Sequence, residues 1–304
     1  KYSVFEGDEY KSSPTDNTPK FAYYKPTHLL LTAVSWDHAD LYPTEESYFN
    51  VFKDLISKSK FIVANKDNEK VREMVKKAVW YGKKDAEYVY SDVKQTKDGL
   101  NFKINDIDIY SPMIGAFQAE NITGCFAMAS EIGIPEEKIV EAIASFKGLK
   151  RRLEKRSEGK VTVFHDIAHS PEKANSVLKN LREIYKDKII AIFEPNIGGR
   201  SRDSIIKYDN AFNDADIVII PRLTKLKVAE NLDNRPMEGD ELAETIAKTH
   251  SNTKYIDDDN ILVNFIKDNT KTNDIVVFLG SHGFRGMIEE TIASFSTSLH
   301  QQSR

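Results

Sequence analysis

Two segments hold side chains that could do chemistry. Glu6-Gly7-Asp8-Glu9-Tyr10 is an acidic cluster, and Trp36-Asp37-His38-Ala39-Asp40 adds an imidazole among further carboxylates. Glu6 and His38 follow the runs Tyr2-Ser3-Val4-Phe5 and His28-Leu29-Leu30-Leu31-Thr32-Ala33-Val34, which read as strands. Neighbouring parallel strands would bring the two together. A carboxylate and a neutral imidazole can hold Mg²⁺ or Mn²⁺ against a nucleotide, although Mg²⁺ prefers oxygen ligands. Solvated strand-end residues are the other reading. No GxxxxGK[ST] run occurs in the 304 residues, so no phosphate loop is present. The pairs Gly82-Lys83 and Gly159-Lys160 lack the upstream glycine and the following hydroxyl. The expectation is most of an ATP-using enzyme whose first part is missing.

Other polar groups fall at expected strand ends and turns. Lys150, Arg151 and Arg152 form a basic knot able to bind phosphate oxygens, or a solvated linker. Asp166 could accept from ribose hydroxyls or cap a loop. His169, just before a helix, could donate to a phosphate or carboxylate, or be structural. Gly198-Gly199-Arg200-Ser201-Arg202 and Gly280-Ser281-His282-Gly283-Phe284-Arg285-Gly286 suit anion recognition, or are plain turns.

The elements that must position these groups read as α/β. Early on, helices are expected at Tyr48–Leu55 and Val71–Trp80, with strand Phe61–Asn65 between them. Short antiparallel strands over 85–110 follow, with a turn at Lys97-Asp98-Gly99, and then helices Ala119–Glu131 and Pro135–Ser145. Past the glycine-interrupted, basic stretch 146–152 the pattern becomes regular. Strands are expected at Val161–His165, Ile189–Phe193, Ile217–Ile220, Lys254–Ile256 and Ile275–Leu279. Helices are expected at 171–186, 203–213, 239–249, 258–268 and 284–295. That alternation implies a parallel sheet covered on both faces, binding ligands beyond the carboxyl ends of its strands.

A net charge of −4 gives no pull toward nucleic acid or anionic membrane, and no apolar run is long enough to span one. Cys125, the single cysteine, lies in an apolar stretch and is expected to be buried and inert, which fits a reducing cytoplasm. The tail Ser296–Arg304 is polar and expected to fray.

Taken together the segments resemble the muramyl (Mur) peptide ligases. The nearest branch attaches a tripeptide to UDP-N-acetylmuramate in cell-wall recycling, and the branch adding L-alanine is next. The resemblance is carried by Phe5-Glu6-Gly7-Asp8-Glu9-Tyr10, Trp36-Asp37-His38-Ala39-Asp40, Gly148-Leu149-Lys150-Arg151-Arg152-Leu153-Glu154, Phe164-His165-Asp166-Ile167-Ala168-His169-Ser170-Pro171, Phe193-Glu194-Pro195 and Gly283-Phe284-Arg285-Gly286. It implies that residues 1–148 are the later part of a central P-loop-type ATPase domain, a mostly parallel sheet with a small antiparallel part. Residues 149–304 would be a Rossmann-like C-terminal domain. A UDP-binding domain and the phosphate loop would precede Lys1.

The resemblance makes Glu6 and His38 ligands of a catalytic Mg²⁺. Asn121 and Gln118 become adenine contacts, Arg152 an arginine on ATP phosphates, and Asp166 the ribose acid. His169 and Arg200 lie near the acceptor or acyl phosphate. Arg222, Lys225, Lys227, Arg235 and Arg285 are possible partners for an acceptor carboxylate. There are departures: Phe117-Gln118 stand where the family has His-Asn, and Ser170 replaces a second histidine. A carbamylated lysine of some relatives falls at Phe52, beside Lys53, and is not assigned.

The implied reaction is ATP-dependent amide formation in peptidoglycan synthesis or recycling. A muramyl carboxylate attacks the γ-phosphate, and the amine of an amino acid or peptide then displaces phosphate from the acyl phosphate. The chain alone, without its phosphate loop, is expected to be inactive. Two rivals stay open: a non-catalytic ligand-binding or assembly module, and a related ligase acting on a folate or poly-amino acid.

Overall fold

The computed structural model describes residues 2–38, 40–225 and 235–296. Lys1, Ala39, Lys227 and the tail after Ser296 lie outside the described residues. The chain divides into two compact units, Lys1–Phe146 and Lys147–Arg304.

The first unit opens with a small hairpin, β1 (Lys11–Ser13) and β2 (Asp16–Pro19), and a short helix α1 (Lys20–Tyr24). Its main sheet runs β3-β4-β5-β6-β7-β8, formed by β3 (His28–Leu31), β4 (Phe61–Asn65), β5 (Val79–Gly82), β6 (Tyr88–Thr96), β7 (Gly99–Ile104) and β8 (Ile107–Ser111). The first four strands pair in parallel and the last three form an antiparallel meander. Helix α2 (Glu45–Lys58) starts at a Thr44–Ser47 capping box, which satisfies amides its first turn would leave unpaired. Its Tyr48, Phe52 and Leu55 share a core with Phe21, Leu31, Ala64 and Val71, the last from α3 (Glu69–Met74). Helix α4 (Gln118–Glu131) packs Ala127 with Val63 and Tyr81. The helix α5 (Glu136–Ser145) packs its Ile139 with Tyr90, Leu100 and Ile122.

Three readings are corrected. Residues 2–5 form no strand; Val4 and Phe5 are exposed at 94% and 67%. The helix expected over 71–80 ends at Met74, and Val79-Trp80 open a strand instead. That β-rich pair finds partners along the edge of β4, so tertiary pairing outweighs local periodicity. Cys125 is exposed: on α4 the residues Ala119, Ile122, Phe126 and Ala127 face inward, and helical spacing leaves position 125 on the outward stripe.

The second unit is a sheet ordered β13-β12-β11-β14-β10-β9. Its strands are β9 (Glu154–Ser157), β10 (Thr162–Asp166), β11 (Ile189–Glu194), β12 (Ile217–Pro221), β13 (Thr253–Ile256) and β14 (Ile275–Gly280). All pair in parallel except β9. Helix α6 (Pro171–Ile184) is capped by Ser170, has proline in its first turn and buries Ala174, Leu178 and Leu181. Helices α7 (Gly239–Ala247), α8 (Asp259–Asn269) and α9 (Met287–Ser296) complete the cover. Alternate residues Ile190, Ile192, Val276 and Phe278 share a core with Leu262, Ile266, Met287 and Ile288. The helix expected over 203–213 is present but shorter and of the 3₁₀ kind, Arg202–Tyr208. The register sets Asp166 opposite Leu279 and Glu194 opposite Gly280, so both carboxylates sit on the carboxyl edge of the sheet.

Gly99 has φ 141° and a Cβ there would fall 2.2 Å from the Ser111 carbonyl oxygen. Gly99→Ala should therefore destabilise the protein by about 1–3 kcal/mol in urea unfolding. Gly159→Ala, with nothing within 4 Å, should stay within about 0.5 kcal/mol.

Candidate functional site

In the first unit, polar groups gather past the carboxyl ends of β3, β4 and β5. His38 sits in a left-handed turn at φ 54°, an uncommon conformation for a side-chain-bearing residue. Asp37 Oδ1 accepts from its N–H at 2.7 Å, and its carbonyl accepts from Leu41 and Tyr42, each at 2.8 Å. The carboxylate beside its ring is Glu9, with Oε1 3.6 Å from His38 Nε2. Tyr48 donates to the same oxygen at 3.3 Å, and Tyr42 donates to the Glu9 carbonyl. Tyr10 lies 4.7 Å from the His38 ring centroid and donates to Asp40 at 2.8 Å. Glu6 is exposed and lines, with Gly7, Asp8 and Glu9, a hollow of about 480 Å³. Its neighbour Asp8 is bound by Lys20 at 2.6 Å, which holds that carboxyl below its ordinary range. Glu9 was legible only as a member of the acidic run; its fold-back onto Tyr42 and Tyr48 is tertiary.

A second group was missed. Asp67, two residues past β4, accepts from the Lys83 amide at 2.9 Å and from Tyr90 at 3.3 Å. Tyr90 also lies 3.4 Å from a Glu120 oxygen. The one available signal was the polar run Asn65-Lys66-Asp67 ending an apolar strand. Glu120 belongs to the first turn of α4, whose outward stripe carries Gln118, Asn121 and Cys125. Asn121 is exposed and donates to Gln118 Oε1 at 3.5 Å. Phe52 faces the core and Lys53 contacts Asn50.

In the second unit, Arg151 and Leu153 adopt φ 60° and 48°, and the alternation sends their neighbour outward. Arg152 is exposed, whereas Arg151 donates to the Ser281 carbonyl and Leu153 is buried. Asp166 accepts from the Leu153 amide at 2.6 Å and the Ala168 amide at 2.7 Å. His169 Nδ1 lies 2.8 Å from the Ile167 carbonyl. A carbonyl only accepts, so Nδ1 carries the proton and Nε2 keeps a lone pair. Burial, then the charges of Lys173 and Arg152, lower the His169 pKa and so favour the neutral ring.

The arginines divide by burial. Arg200 is 3% exposed and donates to the Met237 carbonyl at 2.9 Å, the Thr224 carbonyl at 3.0 Å and Glu238 at 3.3 Å. It ties those segments together. Arg285, at φ 51°, grips Asp259 with two bonds of 2.9 and 3.0 Å, and Arg222 reaches the same carboxylate at 3.0 Å. Arg235 pairs with Glu241, while Lys225 is exposed. Glu194, 1% exposed, faces Arg285 at 3.6 Å. Neither Glu194 nor Asp259 stood out as a site residue, because a lone acid at a strand or helix end is common.

Two family models match in succession: the Mur ligase middle domain over residues 1–129 and the Mur ligase glutamate ligase domain over residues 151–282. UDP-N-acetylmuramate–L-alanine ligase of Streptococcus agalactiae is 28% identical over 292 residues, covering 92% of this chain and 62% of the relative. The enzyme of the same name from Crocosphaera subtropica is 26% identical, covering 99% of this chain and 59% of the relative. The chain thus spans about three-fifths of the length of these relatives. Among solved structures, UDP-N-acetylmuramate-alanine ligase from Thermotoga maritima superposes with a TM-score of 0.75 at 17% identity, covering 93% of this chain and 65% of that one. MurF ligase from the same organism, in complex with ADP, has a TM-score of 0.62 at 18% identity, covering 92% and 63%.

Burial, with the adjacent Asp67 charge, raises the Glu120 pKa from its ordinary 4.5. The folded state therefore disfavours ionised Glu120. This cost appears as pH climbs from the unfolded value through the folded one and stays constant above it. Glu120→Gln should raise the thermal midpoint at pH 8, and the gain should vanish by about pH 4. Paired melts at the two pH values check the sign.

Proposed function

The chain belongs to the Mur ligase family, and from that membership we propose that it carries two of the working parts of an ATP-dependent ligase joining L-alanine to UDP-N-acetylmuramate through an acyl phosphate. The observation that carries this reading is that each unit, taken by itself, presents its polar groups past the carboxyl ends of parallel strands, where such sheets bind ligands. L-alanine is preferred to a tripeptide because the similar curated sequences are named as L-alanine ligases. The phosphate loop, absent from these 304 residues, would come from elsewhere in the protein. A cytoplasmic location follows from the nucleotide substrates.

On the first unit, Gln118 and Asn121 offer amide groups to a purine edge. His38, with Glu9 or Glu6, would hold Mg²⁺. Among the described residues no group of three or more His, Cys, Asp or Glu could hold a metal. That thin donor set suits an ion carried in by the nucleotide and completed by phosphate oxygens and water. When bound, the metal supplies charge neutralisation for phosphoryl transfer. On the second unit, Asp166 keeps lone pairs for ribose hydroxyls after accepting its two amides. Arg152 offers an exposed guanidinium to phosphate oxygens. Neutral His169 offers Nε2 as an acceptor to the incoming amine.

Phosphate release by the protein as naturally produced tests the reading. Release should require Mg²⁺-ATP, UDP-N-acetylmuramate and L-alanine together. Release with the tripeptide in place of L-alanine would move the assignment to the recycling branch. No release with either acceptor would sink the ligase reading in favour of a non-catalytic module. His38→Ala should raise the Mg²⁺ concentration for half-maximal rate about tenfold or more, and an unchanged Mg²⁺ requirement would remove His38 from the metal site.

A further inference from the structure

We propose that a hollow at the amino edge of the first unit's sheet binds a free amphipathic organic anion, an alkyl or acyl chain carrying one acidic head. The hollow holds about 790 Å³ and lies between α1, the loop after it and the C-terminal half of α2. Small-molecule sites enclose roughly 300–1,000 Å³, with an apolar lining and a few placed polar groups. Its floor is Pro19 and Phe21 on one side and Val51 and Leu55 on the other. Phe21 and Leu55 are 3% and 6% exposed. Thr27 and Lys60 line it too, and they immediately precede β3 and β4. His38 and Asp67 follow the carboxyl ends of those same strands, so the hollow is a separate site on the other edge of the sheet.

Charge selects the ligand. Lys25, Lys58 and Lys60 stand around the hollow against one acid, Asp54. Lys58 takes that acid at 2.5 Å. Lys25 and Lys60 are exposed, and no ion pair reaches either ammonium among the described residues. The Thr27 carbonyl accepts from the Lys60 and Phe61 amides at 3.2 and 3.0 Å, which ties the loop bearing Lys25 to the segment bearing Lys60. Lys25 is also held against its backbone preference. It sits at φ 47° and ψ 59°, a left-handed conformation uncommon outside glycine and asparagine. It precedes Pro26, and the residue before a proline favours extended backbone. Such conformations persist where the surroundings over-determine them, and they cluster at ligand clamps. An apolar floor rimmed by unneutralised ammonium groups complements a chain that leaves water and a negative head that meets the lysines. A cation would be repelled, and a small anion would leave the floor unused. The apolar side chains are recessed, whereas a bilayer is met by an apolar face presented outward, so the occupant is a free molecule.

The test is titration calorimetry of the protein as naturally produced, with three probes: decanoate below its micelle concentration, decyltrimethylammonium and acetate. Decanoate should bind saturably at one site per chain, and the other two should not. The double variant Lys25→Asn with Lys60→Gln should weaken decanoate about fivefold or more, because two exposed charge contacts are lost. Asparagine tolerates left-handed backbone and position 60 is exposed, so the variant keeps its fold, checked by a thermal midpoint no lower than wild type. No saturable decanoate binding by the wild type would overturn the proposal. Equal binding of decyltrimethylammonium would do the same, since it would mean unselective apolar adhesion, as would unchanged decanoate affinity in the folded double variant. Lysine-dependent binding to phosphatidylglycerol vesicles without decanoate binding would replace the free anion with a membrane surface.

Discussion

The Asp166 carboxylate is the constraint on which the candidate groups of the second unit depend. Buried at the end of β10, it accepts from an amide before its strand and one after it, at 2.6 and 2.7 Å. Hydrogen bonds to a charged acceptor are worth about 1.5–3 kcal/mol each, enough to hold Arg151 and Leu153 in their left-handed conformations. That alternation turns Leu153 inward and Arg152 outward. The same carboxylate closes the turn that lets His169 donate to the Ile167 carbonyl. One acid thus sets the direction of an arginine, the tautomer of a histidine and the start of α6 behind its Ser170 cap.

The first unit solves the matching problem without such a pin. Its His38 turn is held by backbone bonds to Leu41 and Tyr42, and by a tilted ring contact with Tyr10. The acidic run before the first hairpin folds back because Tyr42 and Tyr48 both donate to Glu9. Tyr48 leads α2, so the capping box that starts this helix also places the group orienting Glu9. The imidazole and its carboxylate therefore meet through two aromatic side chains rather than through neighbouring strand ends.

Much of the fold was legible because its signals are local. The strand Phe61–Asn65 has the same bounds in the sequence reading and the structure, and the βα alternation after 160 follows from apolar runs bounded by caps and turns. What misled were segments whose partner is distant. Val79-Trp80 continue a helical pattern in isolation but pair with β4. Residues 2–5 read as a strand, yet no pairing for them appears among the described residues. Cys125 sits in an apolar run, but 3.6-residue spacing decides its face, and that was overlooked.

The candidate site was legible by residue type and opaque by partner. Three arginines at strand-end loops carried the same expectation of anion binding. Burial sorts them: Arg200 is consumed by two carbonyls and Glu238, Arg285 is held by Asp259, and Arg152 alone projects outward. A guanidinium has five donors in a rigid fork, so when it is buried it must spend them on the protein and has few left for a ligand. For acids the logic runs the other way. A carboxylate needs donors: at Glu194 Thr224 serves one oxygen, while the other has no hydrogen bond and only the Arg285 guanidinium at 3.6 Å. The composition of a loop therefore says which ions it could attract, while the unmet hydrogen bonds of the folded chain say which of its groups still have something to bind.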